Sequence, residues 1–106
     1  MTELEIKQIT PEEVEQKLKN DETLNIIDVR EDDEVAEGMI PEAVHIRMGD
    51  IPDSLNKLDK NEEYIITCHA GGRSMKVCEF LQDQGYHVIN MTGGMSHWTG
   101  ETKPKR

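Results

Sequence analysis

Cations are the first shortage in this sequence. Twelve Lys and Arg face 22 Asp and Glu, a net charge of -10 in 106 residues, so no electrostatic footprint for a phosphate backbone is present and no nucleic acid partner is expected. Long apolar runs are missing too. No stretch approaches the roughly 18 residues a membrane span needs, and residues 1–10 carry neither the basic start nor the apolar stretch of a secretion signal. A cytoplasmic protein without a membrane partner is the expectation. Cysteine is limited to Cys68 and Cys78, which makes no disulfide framework, and in a reducing compartment both are expected as thiols. Internal repeats, low-complexity segments and Pro/Gly/Ser linkers are also absent, which leaves one domain over residues 1–100 and a loose basic tail over 101–106. With 35% hydrophobic residues the core is lean, yet a chain this long buries roughly 60–70% of its unfolded surface and stands without staples.

What is present is punctuation. Thr10 followed by Pro11 and Glu13 predicts a helix N-terminus with a capping box, with Ile9 placed to staple onto Val14 and Asn20 at the far end. Leu24 to Val29 is a short β-branched run and reads as a buried strand, with Asp28 and Arg30 at its carboxyl end. A short helix over Asp32 to Glu37 should stop at Gly38, and a brief strand is expected over Ala43 to Ile46. A helix over Pro52 to Leu58 and a buried strand over Glu63 to Thr67 follow. Ser74 is placed to cap a helix running to about Gln84, with Val77, Cys78 and Leu81 on its apolar face; Gly85 ends it and a strand over Tyr86 to Asn90 follows. Strands alternating with helices predict an α/β fold with a central, mostly parallel sheet flanked by helices, and ligand sites in such folds lie beyond the carboxyl ends of the strands. Cys68 sits at one of those ends.

The segment Cys68-His69-Ala70-Gly71-Gly72-Arg73-Ser74 joins a buried strand to a helix N-terminus. Two adjacent glycines let such a loop curl until its backbone N–H groups converge as an anion cradle, and a positive φ is expected at Gly72. The same donors favour thiolate over thiol, which makes Cys68 a candidate nucleophile; its bland alternative is a small apolar residue at a strand end. Arg73 carries a planar fork that suits either an anionic substrate or a bracing carboxylate such as Asp28.

These residues resemble the active-site pattern of the single-domain rhodaneses, the thiosulfate sulfurtransferase-like proteins, in which Cys-x-x-Gly-x-Arg is followed by Ser or Thr. Two flanking stretches resemble the same family. Leu24 to Ile46 is similar to its strand ending in Asp-Val-Arg, its acidic helix and its Gly-His-Ile-Pro turn, with Met39 in place of the histidine, Glu42 in place of a glycine and Val35 in place of an aromatic residue. Gly85 to Trp98 is similar to its last strand, double glycine and tryptophan. The resemblance implies a three-layer α/β sandwich in which Cys68 accepts a sulfane sulfur as a persulfide. His69, Ala70, Gly71, Gly72, Arg73 and Ser74 would form the substrate-binding loop, with Asp28 and Arg30 as structural groups nearby. It implies no cofactor and no metal; His45, His87 and His97 have no Cys or carboxylate partners at ligand spacing.

The function expected on these grounds is transfer of a sulfane sulfur from thiosulfate or a low-molecular-weight persulfide to a thiol or cyanide. A protein-to-protein persulfide carrier or sensor is the alternative, and the acidic charge would then suit a basic protein acceptor. A phosphatase or arsenate reductase on the same scaffold is disfavoured by four residues between Cys68 and Arg73, one fewer than the related phosphatases place there. Cys78 reads as core packing or as a resolving thiol, His69 as an exposed loop residue, and Trp98 as a packing anchor. Met48, Met91 and Met95 fill gaps or line the mouth of the site, and Glu31 to Glu34 form a solvated helix face.

Overall fold

The computed structural model describes residues 5–105. In chain order the strands are β1 (Lys7–Ile9), β2 (Asn25–Asp28), β3 (Val44–His45), β4 (Glu63–Thr67) and β5 (His87–Met91). The helices are α1 (Pro11–Lys19), α2 (Asp32–Glu37) and α3 (Gly72–Asp83), with 3-10 turns at Met48–Asp50, Pro52–Lys57 and Gly94–His97. The strands form one sheet in the order β1-β5-β4-β2-β3. Every pairing is parallel.

Alternation along the two central strands divides the core. Ile27 and Ile66 pack with Val77, Cys78 and Leu81 of α3, whereas their neighbours Ile26 and Ile65 pack with Val14 of α1, Ile40 and Met91. Successive side chains of a strand point to opposite faces, so two clusters built from adjacent residues make a three-layer α/β sandwich. The start of α1 carries the expected box: Glu13 N–H donates to Thr10 Oγ1 at 3.1 Å and Thr10 N–H to Glu13 Oε1 at 3.0 Å. Ile9 and Val14 then share one buried cluster.

Several boundaries move for identifiable reasons. The strand expected over Ala43 to Ile46 contracts to two residues at the sheet edge, where it has a single neighbour and Val44 is 59% exposed. Pro52 to Lys57 is a 3-10 turn, with Ser54 N–H bonded to Ile51 O and Leu58 N–H to Leu55 O, rather than a regular helix. α3 begins at Gly72 rather than after Ser74: Gly71, at φ 101°, is the cap, and Ser74 lies buried in the first turn. The left-handed loop residue is accordingly Gly71 and not Gly72.

The tail is not loose as far as Lys105. Met39 and Lys103 exchange backbone hydrogen bonds of 2.8 and 2.9 Å, and Lys105 N–H donates to Val35 O at 3.1 Å. Lys105 Nζ lies 2.9 Å from His45 Nδ1, whose other ring nitrogen donates to Arg30 O. Main-chain pairing of this kind leaves no trace in side-chain composition. No helix among the described residues is long and apolar enough to cross a membrane.

Candidate active site

β4 runs apolar into the middle of the sheet and delivers Cys68 just past its carboxyl end, at the turn into α3. Cys68 is 1% exposed. Gly71 N–H donates to its Sγ at 3.0 Å, and Ser74 Oγ lies 3.3 Å from the same sulfur. Burial opposes charge on this sulfur, but the Ser74 hydroxyl and the backbone N–H groups of Ser74, Gly71 and Ala70 prevail and draw the thiol below its ordinary range. The conformation that permits this convergence is the left-handed Gly71.

The double glycine near the end of the chain holds the loop from behind. Met95 N–H donates to Cys68 O at 2.7 Å and Ser96 N–H to His69 O at 2.8 Å. Both carbonyls are thereby committed to the 3-10 turn Gly94–His97, and the N–H side of the loop is left for the sulfur. A Cβ on Gly94 would stand 2.4 Å from Cys68 O and 2.7 Å from His69 O, so only glycine permits that approach.

Arg73 makes a two-pronged ion pair with Glu34 of α2, Nη1 to Oε1 at 2.7 Å and Nη2 to Oε2 at 2.8 Å. The guanidinium pulls the Glu34 carboxyl down to about 2, and the carboxylate in turn raises Arg73. Its carboxylate partner is therefore Glu34 and not Asp28. Asp28 is taken by Arg30, with Nη2 2.8 Å from Oδ2, while the same Nη2 donates to Gly38 O. That buried pair ties the end of β2 to the far end of α2, and so sets the helix that presents Glu34. The acidic run Glu31 to Glu34 is correspondingly not all solvent-facing. Glu34 is half-buried, and its Oε1 also accepts from Glu31 N–H.

His69, Ala70 and Gly72 are exposed on the outer side of the loop. Cys78 is fully buried on α3, and burial together with the neighbouring Cys68 charge pushes its thiol up to about 12. Met91 is fully buried in the cluster beneath α1 and does not reach the mouth, whereas Met48 and Met95 pack at the edges of the two clusters. Trp98 packs against the second of these, with its ring nitrogen bonded to Glu101 O at 3.0 Å. No group of three or more His, Cys, Asp or Glu able to hold a metal occurs among the described residues.

Glu34, Asn90 and Gln8 escape the sequence reading. Asn90 of β5 stands beside Ser74, and Gln8 of β1 stands beside Asn90. Pairings across 39, 16 and 82 residues leave no local signal. Gly94 does leave one, as the second member of the double glycine.

The model of the rhodanese-like domain matches residues 10–101. Among curated sequences, the chain is 57% identical over 102 residues to "Putative sulfurtransferase YtwF" of Bacillus subtilis (strain 168), covering 96% of this chain and 99% of that protein. It is 42% identical over 99 residues to "Putative sulfur carrier protein YrkF" of the same organism, covering 92% of this chain and 54% of that protein. Among solved structures, a rhodanese-like domain protein from Staphylococcus aureus superposes with a TM-score of 0.90 at 44% identity, covering 95% of this chain and all of that one.

Proposed function

The chain belongs to the rhodanese-like domain family, and from that membership we propose that it moves a sulfane sulfur through a persulfide on Cys68. The observation that carries this reading is the buried sulfur at the start of α3, met by Gly71 N–H and Ser74 Oγ and drawn toward the thiolate. Thiolate Sγ attacks the outer sulfur of a donor, either thiosulfate or a low-molecular-weight persulfide. The donor S–S bond breaks, its electron pair leaves with sulfite or with a thiolate, and Cys68 holds one added sulfur. An acceptor thiolate or cyanide then attacks that terminal sulfur, and the pair of the breaking bond returns to Cys68. Converging N–H groups stabilise the charge on the terminal sulfur in between. Cys68, Gly71 and Ser74 contact the reacting sulfur in this scheme; Arg73 braces the loop through Glu34, and Asp28 and Arg30 hold the helix that carries Glu34. His69, Ala70 and Gly72 form the outer lip that the donor crosses.

A carrier role is the second reading. It is supported by the likeness to a protein named for sulfur carriage, of which this chain spans about half the length. In that role the persulfide is handed to another protein, and the net charge of -10 favours a basic one. A phosphatase reading is disfavoured because Arg73 is occupied by a carboxylate, whereas binding a phosphate dianion calls for a free guanidinium.

Intact mass after treatment with thiosulfate or glutathione persulfide tests the proposal. A gain of about 32 Da, one sulfur atom, mapped to Cys68 and absent from Cys68→Ser is the expected result. Turnover surviving in Cys68→Ser overturns it. Delivery to cyanide or free thiols at a steady rate marks the enzyme, and delivery confined to a protein acceptor marks the carrier.

A further inference from the structure

A chain of hydrogen bonds leads from the buried sulfur to the open edge of the sheet. Cys68 Sγ is 3.3 Å from Ser74 Oγ, Ser74 Oγ is 2.5 Å from Asn90 Oδ1, and Asn90 Nδ2 is 3.0 Å from Gln8 Oε1. Cys68, Ser74 and Asn90 are buried, while Gln8, on edge strand β1, is exposed. No buried side-chain nitrogen or oxygen among the described residues lacks a partner. Each atom in the chain can therefore be accounted for.

The Ser74 hydroxyl has one proton and two lone pairs. Its neighbours Asn90 Oδ1 and Gly71 O, the latter at 3.1 Å, can only accept. With the proton directed at either, the sulfur must be the donor, and this is the arrangement of a thiol. A thiolate or a persulfide has no proton to give, so the Ser74 proton must turn to sulfur. Oxygen lone pairs would then face each other across the 2.5 Å from Ser74 to Asn90, unless the Asn90 amide reverses and offers Nδ2. Reversal of Asn90 turns Oδ1 toward Gln8, which must then present Nε2; the Gln8 amide gives up its long contacts to Ile6 O at 3.4 Å and Met75 Sδ at 3.6 Å and, being exposed, takes water in their place. Both arrangements pair every buried group of the chain, Gly71 O keeping the Met75 N–H at 3.2 Å, and they differ in the direction of the bonds and in what the exposed Gln8 amide meets.

We propose that Asn90 and Gln8 are positioning residues for the Cys68 sulfur, their amides reversing together to decide whether the Ser74 hydroxyl accepts from a thiol or donates to a thiolate or persulfide. This rests on the reading of Cys68 as the sulfur-carrying nucleophile. The proton lost from sulfur passes to solvent, and the network only reorients. Other charged or titratable groups stand around the loop, of which Arg73 and Cys78 interact with the Cys68 charge. His69 and Arg73 lie on the loop and its helix, Arg73 being matched by Glu34 of α2; Glu31 is at the start of α2, and Cys78 is on α3. The Asp28–Arg30 pair ends β2, whose register sets Asp28 beside Thr67. Next to Gln8, Lys7 pairs with Glu63, and Met75 of α3 approaches the Gln8 amide.

The test changes residue 8 and reads residue 68. Gln8→Glu places an acceptor there, keeps Asn90 Nδ2 turned outward and so holds the thiol arrangement; Gln8→Lys places a donor there and selects the thiolate arrangement. The pH midpoint of Cys68 alkylation by iodoacetamide, mapped by mass, should rise by about one unit in Gln8→Glu and fall in Gln8→Lys. A charge at residue 8 also acts through space, so both substitutions are repeated in Ser74→Ala, which cuts the chain and leaves the field. Shifts that largely disappear in that background support the relay. Equal shifts in both backgrounds, or none in either, overturn it. Persulfide formation on Cys68, measured by mass in the same samples, reports separately: its absence from the unsubstituted protein defeats the sulfur-transfer reading, whatever the titration shows.

Discussion

Two cysteines in one cluster have opposite chemistry because of what surrounds each sulfur. Cys68 has hydrogen-bond donors aimed at it, while Cys78 is fully buried and its thiol is raised to about 12. Cys78→Ala should cost about 1–2 kcal/mol of stability and leave persulfide formation intact, read from denaturant melts and intact mass. Retained persulfide with blocked delivery would make Cys78 a resolving thiol instead. Glu34 carries a pH dependence whose sign follows from its depressed carboxyl. Its ionised form is favoured in the folded chain, so its contribution is complete above its ordinary value near 4.5 and is lost as pH falls toward about 2. Melting temperature should decline less steeply over that window in Glu34→Gln than in the unsubstituted protein. The same substitution keeps an oxygen for Arg73 but frees its charge, so KM for thiosulfate should fall about threefold or more with a persulfide donor little affected. A parallel loss of kcat with both donors would instead show that the brace Glu34 supplies, and not the charge it neutralises, limits the site.

At the scale of elements, the site is a contact between two turns far apart in the chain, the Cys68 loop and the turn Gly94–His97, joined by Met95 N–H to Cys68 O and Ser96 N–H to His69 O. Carbonyls of the first turn are satisfied by N–H groups of the second. Gly94→Ala inserts a carbon 2.4 Å from Cys68 O and must push the loop off its support. We expect the sheet to survive, by far-ultraviolet circular dichroism, and the Cys68 alkylation midpoint to rise toward about 8.5 as the converging donors are lost. An unchanged midpoint would mean that the loop keeps its shape without that turn. The α2 element acts from the other side. Anchored by the Asp28–Arg30 pair and by the Lys105 N–H to Val35 O bond, it holds the carboxylate that fixes Arg73.

Over the whole molecule, the excess of carboxylates works against the small anionic donors of the proposed reaction. On the sulfur-transfer proposal, a net charge of -10 repels thiosulfate at long range, while the converging N–H groups would attract it at contact. Salt screens the first and hardly touches the second. Raising ionic strength from about 20 to about 200 mM should therefore increase kcat/KM for thiosulfate, with a smaller effect on a neutral acceptor such as 2-mercaptoethanol. A decrease would place a cationic surface at the mouth that offsets the overall charge.

The alternation of short apolar runs with capped helices was enough to specify a parallel sheet and to put Cys68 beyond one of its strands, because periodicity and capping act between residues a few positions apart. Thr10, Pro11 and Glu13 illustrate this, and so does Gly85 after α3. The content of the loop was legible for the same reason, glycines beside a cysteine being a local pattern. What the loop leans on was not. Glu34 rather than Asp28 meets Arg73, Gly71 rather than Gly72 takes the left-handed turn, and Ser74 stands between the Cys68 sulfur and Asn90 rather than capping its helix. Lys103 and Lys105 are held by Met39 and Val35 although their neighbourhood is polar and basic. Each of these was decided by a partner brought near only when the sheet assembled, since a hydrogen bond depends on distance and direction in space while the order of residues encodes only what is close along the chain.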